Sequence, residues 1–201
     1  MITTYNELKS AVADWLARPD LTPVIPTFVQ LCEAELNRVL FAPEMEVFAT
    51  VTTDEQYVAL PAFVEIRRVA AGDDELKLVT PEQLFIVRRS LPPTGKPRYA
   101  VVGGHVLEVW PVPDRGYTYN VICKRPIPPL SNENQTNWLL QKHPDTYLYG
   151  TLTHSAPYLH HDERIAVWSA KFSNLVRQIN LQAERMLYPT SNWSVRLKYT
   201  I

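Results

Sequence analysis

The spacing of apolar residues along this chain changes twice. Up to about residue 42 they recur every three to four positions; from Met45 to about Arg125 they tend to fall on every second one. From Pro144 the longer spacing returns. Helices bury one stripe of side chains and strands bury alternate residues, so two helical regions bracket a β region. Strands grouped apart from helices predict an α+β fold, not a parallel doubly wound sheet. The expected architecture is a helical bundle formed by N-terminal and C-terminal helix pairs. An antiparallel β-hairpin block is inserted between them, and an extended arm ends the chain.

Local signals sharpen this outline. Thr4-Tyr-Asn-Glu7 is a capping box opening a helix with Tyr5, Leu8, Val12, Trp15 and Leu16 on one stripe, closed by Arg18-Pro19. Pro26 starts a second helix with Phe28, Leu31, Cys32, Leu36 and Val39 inward, ended by Pro43. The β block should hold three hairpins: one turning at Asp54-Glu55, one at Gly72-Asp73-Asp74 and one at Gly103-Gly104. A second capping box, Thr80-Pro-Glu-Gln83, inserts a short helix, and a strand follows over Tyr117–Arg125. Six glycines against 17 prolines mark stiff connections instead of mobile hinges. After a polar linker at 131–137, one helix runs from Pro144 to about Tyr158. A longer one runs from Asp162, with Ile165, Trp168, Phe172, Leu175, Val176, Ile179 and Met186 inward. The body is therefore expected over residues 1–188, with helices in 1–42 and 144–188 and the β block in 44–126. Trp15, Leu31, Leu36, Ile165, Trp168 and Phe172 should share one core.

The arm, residues 189–201, ends in an unbroken alternation. Trp193, Val195, Leu197, Tyr199 and Ile201 fall on one side, and Ser194, Arg196, Lys198 and Thr200 on the other. This is a one-sided strand on the order of 30 Å long. It must pair with a sheet edge, either its own or that of a partner by β-augmentation.

No signature of catalysis emerges. Adjacent histidines point apart, so His160-His161-Asp162-Glu163, even with His154 nearby, lacks the spacing of a metal site. A polar turn with Asp162 as helix cap explains these residues. There is no nucleophile elbow, phosphate-cradling loop or Cys-x-x-Cys. Cys32 reads as a small core residue. Glu33 and Glu35 splay about their helix, and Glu44 with Glu46 is a bare pair that only evokes a sugar hydrolase. Twenty basic and 21 acidic residues leave a net charge of −1, which gives no general grip on nucleic acid. Two cysteines and no leader-like opening predict no disulfide framework and synthesis in a reducing cytoplasm. No apolar run is long enough to span a bilayer.

Several segments together carry a resemblance. They are Thr3-Thr-Tyr-Asn-Glu-Leu8, Val12-Ala-Asp-Trp-Leu-Ala-Arg-Pro-Asp-Leu21, Ile25-Pro-Thr-Phe-Val-Gln-Leu31 and Glu33-Ala-Glu-Leu-Asn-Arg-Val-Leu40 with Met45-Glu46. Pro144-Asp-Thr-Tyr-Leu-Tyr-Gly-Thr-Leu152 and Asp162-Glu-Arg-Ile-Ala-Val-Trp168 extend it. The chain resembles the adaptor proteins of short-tailed bacteriophages, which lie between portal and tail nozzle. Where such proteins often read Leu-Arg-x-Arg after the second helix, this one reads Val39-Leu-Phe-Ala-Pro43. The resemblance implies a structural virion protein with no enzymatic activity and no cofactor or metal. It implies a homo-oligomeric ring, typically a dodecamer, bound to portal and nozzle at the head–tail interface, through which DNA passes without specific binding. It also favours a partner over the subunit's own sheet for the arm residues Trp193, Val195, Leu197, Tyr199 and Ile201. Another head-completion or tail assembly protein, such as a stopper, is the alternative; a cell-wall-acting enzyme is a more distant one.

Overall fold

The computed structural model describes residues 2–159 and 163–187. The fold is α+β and divides into two compact units. One comprises the chain up to Glu44 together with the chain from Ile127 onward; the other is Met45–Pro126.

In the first unit, α1 (Tyr5–Leu16) and α2 (Ile25–Val39) are joined by a 3-10 turn at Pro19–Val24. The Thr4 hydroxyl accepts from the Glu7 N–H, and the Glu7 carboxylate accepts from the Thr4 N–H. Ala17 ends α1 in the left-handed region, and its N–H donates to the Ala13 and Asp14 carbonyls. Later in the chain come α4 (Trp138–Lys142) and α5 (Pro144–His154), then α6 (Arg164–Leu187) after a short 3-10 turn. Helix α5 is the hub, packing against α1, α2, α4 and α6. Gly150 makes this possible. A Cβ built there would lie 2.4 Å from Cys32 Sγ on α2 and 2.8 Å from the Phe172 ring on α6, so three helices converge where a side chain is missing. Helix α4 arises next to a segment whose composition reads as a plain polar linker; the Asn137 carboxamide oxygen caps it by accepting from the Leu140 N–H at 2.9 Å.

The buried stripes are narrower than helical spacing predicts. Leu36, Trp168 and Phe172 are buried and Ile165 is half-buried, but Trp15 and Leu31 are 44% and 47% exposed. The α2 stripe runs Ile25, Phe28, Val29, Cys32, Leu36, which leaves Leu31 about 100° off its centre, the angle between neighbours on a helix. Trp15 lies at the flank of α1, edge-on to Tyr149 with ring centroids 5.7 Å apart. Met186 shares the stripe of Trp168 yet is 62% exposed, because α6 with 24 residues outruns the 11-residue α5 it packs on.

The second unit holds two four-stranded sheets. One has the order β1–β8–β3–β4, with β1 (Glu46–Thr53), β3 (Glu65–Ala71), β4 (Asp74–Glu75) and β8 (Tyr117–Lys124). The other has the order β2–β7–β6–β5, with β2 (Tyr57–Ala59), β5 (Lys77–Leu78), β6 (Tyr99–Gly103) and β7 (Val106–Trp110). Helix α3 (Pro81–Val87) keeps its capping box, with the Thr80 hydroxyl accepting from the Gln83 N–H. Side chains of both sheets, among them Val58, Val69, Leu107, Val109, Tyr119 and Val121, form one core.

Two of the three expected hairpins are present. Gly72 (φ 62°) and Gly104 (φ 60°) supply the left-handed residues of two-residue turns between β3 and β4 and between β6 and β7. The turn at Asp54-Glu55 joins no hairpin: β1 pairs with β8 while β2 pairs with β7, so the chain changes sheets there. The chain changes sheets a second time at buried Leu76, between β4 and β5, and β5 then pairs in parallel with β6. The local turn signal is real, but the longer apolar face of β8 outcompetes the nearest strand for β1.

Candidate functional site

Glu44 and Glu46 each meet a cation of their own unit, Lys142 and Arg67 respectively. Partial burial raises the Glu44 carboxyl most strongly of any one influence, but the hydrogen bond from the Lys142 ammonium, the backbone hydrogen bond and the nearby positive charge together outweigh it and hold the group below its ordinary value. Glu44 thus lacks the raised pKa that a general acid needs. His154 Nε2 lies 2.9 Å from the Glu35 carboxylate. His160, His161 and Asp162 lie outside the described residues, as do the arm residues Trp193, Val195, Leu197, Tyr199 and Ile201. Among the described residues, no three His, Cys, Asp or Glu side chains are grouped to hold a metal. The Cys32 thiol is fully buried, and desolvation pushes its pKa well up, with nearby Glu33 and Glu35 adding to the effect. Cys123 is also raised by burial. Both are poor nucleophiles at neutral pH.

The chemistry that is present is mechanical. Glu33, on the buried side of α2, is 5% exposed. Its Oε1 accepts from the Leu130 N–H at 2.8 Å and from the Tyr147 hydroxyl at 3.0 Å. Asn137 Nδ2 donates to the Tyr147 oxygen at 2.7 Å and to the Pro128 carbonyl at 2.7 Å. Asn37 Oδ1 accepts from the Ile127 N–H at 2.8 Å. Asn180 on α6 accepts from the Phe41 N–H at 2.7 Å and donates to the Val39 carbonyl at 3.0 Å. Four side chains of the helical unit thus hold the main chain where it leaves at 41 and where it returns at 127–130. Pro126-Ile-Pro-Pro129 leaves few backbone donors there, and two of those present, at Ile127 and Leu130, are both caught. The sequence signal for this node was a glutamate inside an apolar stripe, one position after Cys32. Spacing between carboxylates, which concerns only pairs, could not reveal it.

Burial raises the Glu33 carboxyl above its ordinary value, with the two hydrogen bonds working in the opposite sense. The folded state therefore holds this proton more tightly than the unfolded chain. Stability from this group is complete below the ordinary carboxylate pKa and is lost as pH rises through the raised one. Glu33→Gln keeps an acceptor for both donors and removes the titration. It should leave stability flatter with pH across the range from about 4 to 8 and higher at the upper end. Urea unfolding of both proteins at several pH values checks this; a steeper decline in the variant would contradict it.

Several large apolar side chains are exposed. Phe48 on β1 is 75% exposed, and Phe85 and Ile86 on α3 are also open to solvent. On the outer face of the first sheet, Phe48, Thr50, Arg68, Asn120 and Ile122 line a shallow concavity. Among the described residues, no helix is long and apolar enough to cross a membrane.

Comparison with known proteins agrees with a structural role. No curated protein matches the chain. The family model described as SU10 adaptor protein matches residues 3–196, taking in the helices, both sheets and most of the terminal segment. By this match over nearly its whole length the chain belongs to the SU10 adaptor protein family, structural adaptors of a bacteriophage.

Proposed function

We propose that copies of this chain form a ring beneath the portal, dodecameric in number, that joins the portal to the tail nozzle and leaves a channel for DNA. The family match over nearly the whole chain carries this reading. Three features support it. A helical unit whose chain segments at 41 and 127–130 are pinned by buried side-chain hydrogen bonds suits a part that must hold its shape under load. A net charge of −1 suits a passage that DNA crosses without being gripped. The alternating apolar face of residues 193–201 suits attachment to a sheet edge on another chain. The ring acts at the head–tail interface of the virion and is assembled from subunits made in the host cytoplasm. It has no catalytic residue and no cofactor.

Mixing the purified chain with purified portal and reading the product by sedimentation velocity and electron microscopy tests this. The expected product is a closed ring stacked coaxially on the portal with one adaptor copy per portal subunit. A chain that stays unbound at concentrations well above micromolar, or that binds as isolated monomers, would refute the connector role.

A further inference from the structure

The outer faces of the two sheets in the β unit are finished differently. In the second sheet Tyr99, Val101, Glu108 and Trp110 face away from the core, because they alternate with the core residues Ala100, Leu107 and Val109. Helix α3 covers that face. The Arg88 guanidinium lies over the Trp110 ring at 4.9 Å and pairs with Glu108, and Leu84 is buried. Val101 is buried as well, although it points away from the core. Anchored in this way, α3 turns Phe85 and Ile86 outward, 60% and 65% exposed. The Arg89 guanidinium lies over the Phe85 ring at 4.9 Å and forms no ion pair among the described residues. The acid of this helix, Glu82, sits in its first turn. The result is an apolar knob with a cation at its rim.

The outer face of the first sheet carries no helix of its own unit, since α3 is the one helix in Met45–Pro126. Its cross-strand rows are Phe48–Ile122–Arg68 and Thr50–Asn120–Ala70. Ala70 and the adjoining Gly72 are small, and the face is hollowed there by about 350 Å³, lined also by Phe48, Ile122, Arg68 and Asp73. The Arg68 charge is compensated by Glu75 at 3.4 Å. Asp73 forms no ion pair among the described residues. This is an apolar hollow with an anion at its rim.

We infer that the α3 knob of one copy seats in the first-sheet hollow of the next, with Phe85 and Ile86 against Phe48 and Ile122, and Arg89 beside Asp73. Knob and hollow lie on opposite faces of one two-layer unit, so they cannot meet within a subunit. Form, polarity and charge each match between them: a convex apolar group meets a concave apolar one, and an uncompensated cation meets an uncompensated anion. A polyanion is a poor occupant of the hollow, because Asp73 repels it. Two different surfaces of one chain make a heterologous contact, which closes into a ring when the rotation between neighbours permits. The patch is small beside those of stable complexes, so it joins copies already gathered in a ring more than it holds free pairs. This inference rests on the ring reading given above and gives the β unit a part in it.

Photocrosslinking in the full-length chain tests it. An isotope-labelled copy carrying Phe85→p-benzoylphenylalanine is mixed with unlabelled copies and portal, irradiated, and the crosslinked peptides are identified by mass spectrometry. The expected adducts join position 85 to the strands bearing Phe48 and Ile122 of an unlabelled copy. Adding Arg89→Asp to the labelled copy sets two carboxylates together and should cut the yield roughly fivefold. Asp73→Arg in the unlabelled copies should then restore it. All three positions are exposed, so the variants should keep the fold, which circular dichroism checks. Adducts to portal or to other adaptor surfaces, a ring without adducts, or a loss that Asp73→Arg does not rescue would each overturn this linkage. Sedimentation and electron microscopy of the same samples read the ring separately. Failure to form any ring on portal removes the connector reading and this contact with it.

Discussion

Deleting residues 190–201 is expected to leave a folded, soluble subunit that no longer enters the particle. The reason for the first half is that the buried α6 stripe, Trp168 through Ala183, lies wholly before the deleted residues and has its partners within the helical unit. The isolated subunit should unfold with a free energy within ~0.5 kcal/mol of the intact chain, as for changes away from the core. The second half follows from the arm's composition. Burying five apolar side chains at ~1.5–3 kcal/mol each gives a gross gain on the order of 10 kcal/mol. Ordering a nine-residue segment costs a similar amount at ~1–2 kcal/mol per residue, so any surplus comes from the backbone hydrogen bonds made to a sheet edge. The surplus per arm is small, and a ring of identical arms multiplies it, so assembly is lost steeply when every arm is missing. Thermal unfolding of the isolated subunit together with incorporation into portal complexes measures both halves. If the truncated subunit unfolds on its own, the segment belongs to its own sheet.

Trp168→Ala should cost ~3–5 kcal/mol, the usual range for emptying a buried aromatic site. Trp168 is 4% exposed and begins the α6 stripe that continues through Phe172, Val176, Ile179 and Ala183. The Arg164 guanidinium lies over its ring at 5.1 Å, so the truncation also removes a cation–π contact. The neighbourhood has little freedom to collapse, because Phe172, one turn along, already touches the Gly150 backbone where α2 and α5 meet. For a chain of this size the loss should lower the unfolding midpoint by on the order of 10 °C. Circular dichroism through the melt reads the shift. A loss below about 1 kcal/mol would mean that α6 is not seated as its burial indicates.

Elements that depend on a few neighbouring residues were legible in the sequence. Both capping boxes form, and Gly72 and Gly104 turn their hairpins, because capping geometry and positive φ act within a few residues. The pairing of β1 with β8 was not legible, because 63 residues separate Thr53 from Tyr117 and the turn at Asp54-Glu55 competes locally. Trp15 and Leu31 were misplaced for a related reason. A stripe gives the direction in which a helix prefers to bury itself, while the width of the covered arc depends on how many neighbours arrive.

The sequence by itself determined the family, the α+β class and the order of helices and strands, since each is written in local period and local turn chemistry. Tertiary structure alone decided what Glu33 does. A carboxylate on a helix is ordinary until Tyr147, 114 positions away, and the Leu130 N–H converge on one of its oxygens and water is excluded. It also decided that β1 is an edge. Nothing in Glu46–Thr53 distinguishes an outer strand from an inner one, because that status is fixed by which strands reach its two sides, and among the described residues β8 alone pairs with it.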